Sequence, residues 1–160
     1  MKTKLIFFVA ALTLSIPAFA AEPAPASPLF GAWKVDTSRL PMAPEARPRS
    51  VTITFSSPGS DRLSAKIEVV DPAGGRLEAE GVTPLDGSPT RVKSNFEADV
   101  SATTMPRPEV LIMQLAKGGS PASTRIYVVN ADGNTMVETV AFFTREGQPV
   151  FRKNYFSRLK

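Results

Sequence analysis

The chain contains no cysteine and no histidine. Without cysteine there is no disulfide, so stability must rest on core burial and backbone pairing. The two absences together remove Ser-His-Asp and Cys-His catalysis and the imidazole base that works near neutral pH. They also remove the usual ligands of zinc and copper. Only carboxylate, lysine, tyrosine or hydroxyl chemistry remains, and the chain reads as a non-enzyme with no catalytic, cofactor-binding or metal-ligating residues and no cofactor. Aromatics are sparse too, with one Trp and two Tyr. Charge of one sign is not concentrated anywhere. The net charge is +4, and Arg47, Arg62, Lys66, Arg91, Arg125 and Arg152 are scattered, so no nucleic-acid footprint is expected.

What is present begins at the N-terminus. Lys2 and Lys4 precede an apolar run over residues 5–16, Pro17 interrupts it, and Ala18-Phe19-Ala20 offers small residues at a cleavage site. This predicts a bacterial secretory signal cleaved after Ala20 and a periplasmic or secreted protein. A membrane span needs about 20 apolar residues, more than this run supplies. Residues 21–28 (AEPAPASP) read as a flexible Pro/Ala leader. Residues 29–160 read as one domain, a size that supports a core of its own.

Within that domain apolar residues alternate with polar ones, and turn signals recur at short spacing, which predicts an all-β fold. Val51, Ile53 and Phe55 alternate with threonines; Leu63, Ala65, Ile67 and Val69 follow the same pattern, as do Leu77, Ala79 and Gly81, then Phe96, Ala98 and Val100. Asp132-Gly133 is the strongest hairpin signal and predicts a type I′ turn between strands near 124–129 and 136–143. Pro106 and Pro108 predict a break before the apolar segment 110–115. About eight to ten antiparallel strands result, and closure into an up-and-down barrel removes their edges. A two-sheet sandwich is the structural alternative. A membrane-spanning barrel fits poorly, because such strands need an outward apolar band and aromatic girdles.

Phe30-Gly31-Ala32-Trp33-Lys34, the proline-containing crossover over 40–48 and the Asp-Gly turns near 86 and 132 resemble, in their order, a group of exported bacterial lipocalin-like (calycin-like) β-barrels of unassigned function. Where that group usually carries a fuller Asp-Gly-Lys-x-Tyr-Pro stretch, this chain has Asp86-Gly87-Ser88-Pro89-Thr90. The resemblance implies a barrel that encloses an apolar ligand. It also implies that Trp33 packs at the closed end under a late-strand arginine, Arg152 or Arg158; Gly31, Trp33 and Arg152 are assigned to this base.

The inward alternating set Phe55, Ile67, Phe96, Met113, Tyr127 and Phe142 would line a pocket, with Ala65, Ala79, Gly81 and Ala98 leaving room. Asn130, Asp132 and Asn134 read as a turn and not as a calcium loop, since Glu138 is badly placed to complete one. Glu78, Glu80, Glu97 and Asp99 read as a solvated outer face and not as a glycosidase pair. The expected partner is a small apolar ligand, with no nucleic acid, no membrane span and no identifiable protein partner. A ligand-free structural or interaction barrel of the cell envelope is the alternative.

Overall fold

The structure, a computed structural model, describes residues 27–94 and 96–160. The predicted signal peptide and most of the predicted leader lie outside the described residues. Eleven strands run β1 (Gly31–Val35), β2 (Ser50–Gly59), β3 (Arg62–Val70), β4 (Arg76–Pro84), β5 (Thr90–Arg91), β6 (Lys93–Ser94), β7 (Val100–Arg107), β8 (Val110–Lys117), β9 (Ser120–Val129), β10 (Thr135–Phe143) and β11 (Pro149–Arg158). Every pairing is antiparallel, and all belong to one sheet, ordered β5-β7-β8-β9-β10-β11-β1-β2-β3-β4-β6. The fold is therefore an all-β, nearly closed up-and-down barrel and not a sandwich.

The two edges of this sheet, β5 and β6, are consecutive in the chain and separated by Val92 alone. Thr90 and Arg91 pair with β7, whereas Lys93 and Ser94 pair with β4. One five-residue segment thus spans the gap between the long strands β4 and β7. These two short strands raise the count above the eight to ten expected, because a chain crossing a seam pairs briefly on each side.

The alternation in the sequence decides which side chains enter the barrel. On β2 Ile53 and Phe55 are buried, and on β3 Leu63 and Ala65; the neighbouring Ser56 and Lys66 face out. The outer face of β3 and β4 carries Lys66, Glu68, Glu78 and Glu80, a surface suited to water and not to lipid. Among the described residues no helix is long and apolar enough to cross a membrane. The expected break before residue 110 falls at Pro108 and Glu109, between β7 and β8, while Pro106 stays within β7. It sits within a register shift between Thr104 and Arg107, where a missing N–H is tolerated.

The closed end is built around Trp33, which is fully buried. Its Nε1–H donates to the Leu29 carbonyl at 2.8 Å. The guanidinium over its ring belongs to Arg158, 4.1 Å from the ring centroid, and not to Arg152. Both arginines share the inward parity of β11, but the register places Arg158 directly opposite Trp33. Arg158 also donates to the carbonyls of Pro28, Phe30 and Gly133. Gly31 holds φ at 123°, and a Cβ there would lie 2.7 Å from Arg158 Nη1. Glycine two residues before tryptophan therefore opens the space through which the guanidinium reaches the ring.

Ser27 and Pro28, assigned from sequence to the flexible leader, belong to this base. Ser27 is buried and its hydroxyl donates to the Pro108 carbonyl, while Leu29 N–H donates back to Ser27 Oγ. Leu29 is thereby plugged into the core.

The Asn130–Thr135 connection joins β9 and β10 as expected, but not through a type I′ turn. Gly133 is at φ 64°, and no non-glycine residue among those described has positive φ. Asp132 accepts hydrogen bonds from the backbone N–H groups of Asn134 and Thr135, and this local capping holds it in ordinary backbone space. A Cβ on Gly133 would meet nothing within 4 Å. Gly133→Val should therefore cost about 1 kcal/mol or more purely through backbone strain, while Gly133→Asn keeps most of the stability. Urea denaturation of both variants measures this; equal stability of the valine and asparagine proteins would show that the turn relaxes freely.

Candidate functional site: a two-sided barrel cavity

A cavity of about 220 Å³ occupies the barrel at the end away from Trp33. Leu40, Met42 and Pro48 of the β1–β2 crossover stand at this end. One wall comes from β2–β4 and is apolar: Val51, Ile53, Ala65, Ile67, Ala79 and Gly81. The opposite wall comes from β9–β11 and is polar: Arg125, Tyr127, Glu138, Arg152 and Asn154.

The register explains the polar wall. Glu138 on β10 lies directly across from Tyr127 on β9 and from Asn154 on β11. Two residues along, Val140 is flanked by Arg125 and Arg152 in the same way. All five therefore point inward in two adjacent rows. Glu138 is 1% exposed, which an ionised carboxylate tolerates only with partners. It accepts from Arg125 Nη1 and from Asn154 Nδ2. Arg125 Nε, 3.2 Å from Glu97 Oε1, and its Nη2 both donate to that atom, and Ser123 Oγ donates there as well.

Arg125 is thus shared by two carboxylates. Burial works against its charge, but the carboxylates of Glu138 and Glu97 and the hydrogen bond to Glu97 hold it firmly protonated. The Tyr127 phenol is pushed well above its ordinary value, first by burial and then by the Glu138 charge. It remains a neutral group with edge contacts to Phe55 (centroids 5.3 Å apart) and Phe156 (6.3 Å).

Two members of the polar wall are not fully paired. Among the described residues, Arg152 Nε and Asn154 Oδ1 are buried without a hydrogen-bond partner. The ring of Phe142 lies beneath that guanidinium, its centroid 6.0 Å from Arg152 Cζ.

Of the residues expected to line a pocket, the structure brings Ile67, Phe96, Met113 and Tyr127 to the cavity. Phe55 lies beneath it in the core, against Tyr127. Phe142 has the inward parity of β10 but is not part of the lining; it stands half-buried beside Arg152. Ala65, Ala79, Gly81 and Ala98 all face the cavity.

The expected outer face of four carboxylates is only partly real. Glu97 is not on a strand, because β7 begins at Val100. The Ser94 hydroxyl accepts from the backbone N–H groups of both Phe96 and Glu97, bending the chain so that the Glu97 carboxylate reaches Arg125. Arg125, Glu138 and Asn154 are not among the residues that the sequence pattern assigns to the pocket. Each is nevertheless a polar residue on the apolar parity of its strand, Arg125 with Tyr127 and Val129, Glu138 with Met136 and Val140, Asn154 with Phe156. No protein-family model matches this chain, and no curated protein matches it in sequence.

Proposed function

We propose that this is an exported, lipocalin-like binding protein that holds one small, mainly apolar molecule in its barrel. The observation that carries the reading is a cavity of about 220 Å³ with a continuous apolar wall, inside a barrel whose other end is filled. Eight-stranded and larger barrels either pack solid or enclose a ligand, and this interior is not packed solid. Binding is favoured over catalysis because both inward carboxylates, Glu97 and Glu138, are engaged by Arg125, so neither is free to shuttle a proton.

A naphthalene-sized neutral arene buries about 300 Å² of apolar surface, worth about 7.5 kcal/mol at ~25 cal/mol/Å² before the costs of association. Uptake in the micromolar to sub-millimolar range is therefore the expected result, followed through the emission of naphthalene itself. Ala98→Leu and Ala65→Phe, which fill the cavity from two sides, should abolish uptake while circular dichroism keeps its β signature. Naphthalene bound equally by both variants would place it outside the barrel.

A ligand-free interaction barrel is the second reading, favoured by Phe143 and Phe151, which are 70% and 75% exposed on the outer face of the β10–β11 hairpin. Absence of uptake by the parent protein would favour it.

A further inference from the structure

The polar wall carries two buried hydrogen-bonding atoms of opposite sense, and they specify a head group. Ionised Glu138 can only accept, so the Asn154 side chain must turn its NH₂ toward it. That choice fixes Oδ1 as the free atom, an acceptor without a partner among the described residues. Arg152, the next inward residue on β11, leaves its Nε–H buried and unpartnered, a donor. Both carboxylates on this side are committed to Arg125. Buried polar atoms are rarely left unpaired in a native site, and here a donor and an acceptor belong to adjacent inward residues of one strand, both of which line one cavity.

We propose that the cavity binds a neutral acyl amide, its carbonyl accepting from Arg152 Nε–H and its N–H donating to Asn154 Oδ1, with the acyl chain against the β2–β4 wall. This rests on the binding reading above and names the ligand class. A carboxylate offers acceptors only. It would set a negative charge against Asn154 Oδ1 and near Glu138 and Glu97, leaving one orphan unsatisfied. An amine offers donors only and would face Arg152 and Arg125. A planar amide presents one acceptor and one donor side by side with no net charge. At interior packing density the cavity has room for roughly ten non-hydrogen atoms, an amide with a chain of about eight carbons.

The test compares octanamide, octan-2-one and octanoate by calorimetry on the mature protein at neutral pH. Octan-2-one keeps the carbonyl and loses the donor; octanoate replaces the donor with a charge. Octanamide should bind about tenfold more tightly than octanoate and several-fold more tightly than the ketone. Arg152→Met, which breaks no hydrogen bond of Arg152 Nε among the described residues, should weaken amide and ketone by a similar factor, about tenfold. Octanoate binding as tightly as octanamide, or Arg152→Met leaving all three affinities unchanged, overturns the head-group assignment while naphthalene uptake still stands. Failure of the three octyl ligands with naphthalene uptake intact also overturns it. Failure of naphthalene as well brings down the binding reading itself.

Discussion

Replacing Trp33 by alanine is expected to remove about 3–5 kcal/mol of folding stability, the usual cost of deleting a large buried aromatic. For a domain of this size that corresponds to a fall of roughly 10–20 °C in Tm. The magnitude follows from what the ring touches. It is fully buried, its N–H closes a hydrogen bond to Leu29, and it is one face of the Arg158 stack. Truncation opens a cavity under Arg158, whose guanidinium also ties together the carbonyls of Pro28, Phe30 and Gly133. Both chain ends of the domain meet there, so the loss cannot be absorbed by a mobile loop. Thermal and urea denaturation measure it; a variant melting within a degree or two of the parent would show that Trp33 does not hold the base.

The second large effect is at the other end of the barrel. Arg125→Met removes the single cation shared by Glu97 and Glu138 and keeps most of the side-chain volume. Breaking a buried ion pair from one side typically costs about 3–5 kcal/mol, because a buried charge is left uncompensated. The pH dependence identifies the cause. Without Arg125 the buried Glu138 carboxylate is uncompensated, a penalty that applies only while the group carries charge. The gap between variant and parent should therefore be widest near neutrality and narrow on acidification. Arg125→Met combined with Glu138→Leu should recover much of the loss at neutral pH, since an apolar pair replaces an ionic one. A gap that stays constant from neutral to mildly acidic pH would mean that packing, not charge, sets the cost.

The barrel itself was legible in the sequence because period-two alternation and turn residues act locally. The β2, β3 and β4 strands could be read from Val51, Leu63 and Leu77 onward without knowledge of their neighbours. What could not be read is whatever depends on register. Arg152 and Arg158 have the same parity on β11, and only the pairing of Trp33 with Arg158 decides which one covers the ring. Glu138 reads as misplaced for calcium, although its parity already places a carboxylate on an inward face. Its partners Arg125 and Asn154 lie on the two flanking strands, and nothing along β10 alone identifies them. Glu97 fails for a different reason. Its alternation with Phe96 and Ala98 mimics a strand, but the Ser94 hydroxyl captures two backbone N–H groups and bends the chain before β7 begins. The type I′ assignment failed in the same way, through a side chain, that of Asp132, satisfying the backbone locally.

The seam between β4 and β7 sets how the barrel breathes. Nine strands are five or more residues long, but the gap is spanned by two residues on each side, with Val92 packed on the bare Gly81 backbone between them. Local opening costs least where few bonds and little apolar surface are lost. Amide protons over residues 90–94 should therefore exchange with solvent long before those of β2, β3 or β10. Because Val92 and Ser94 themselves line the cavity, the same fluctuation that exposes those amides uncovers its interior. Ligand exchange would then be paced by this hinge of five residues, without unzipping any long strand.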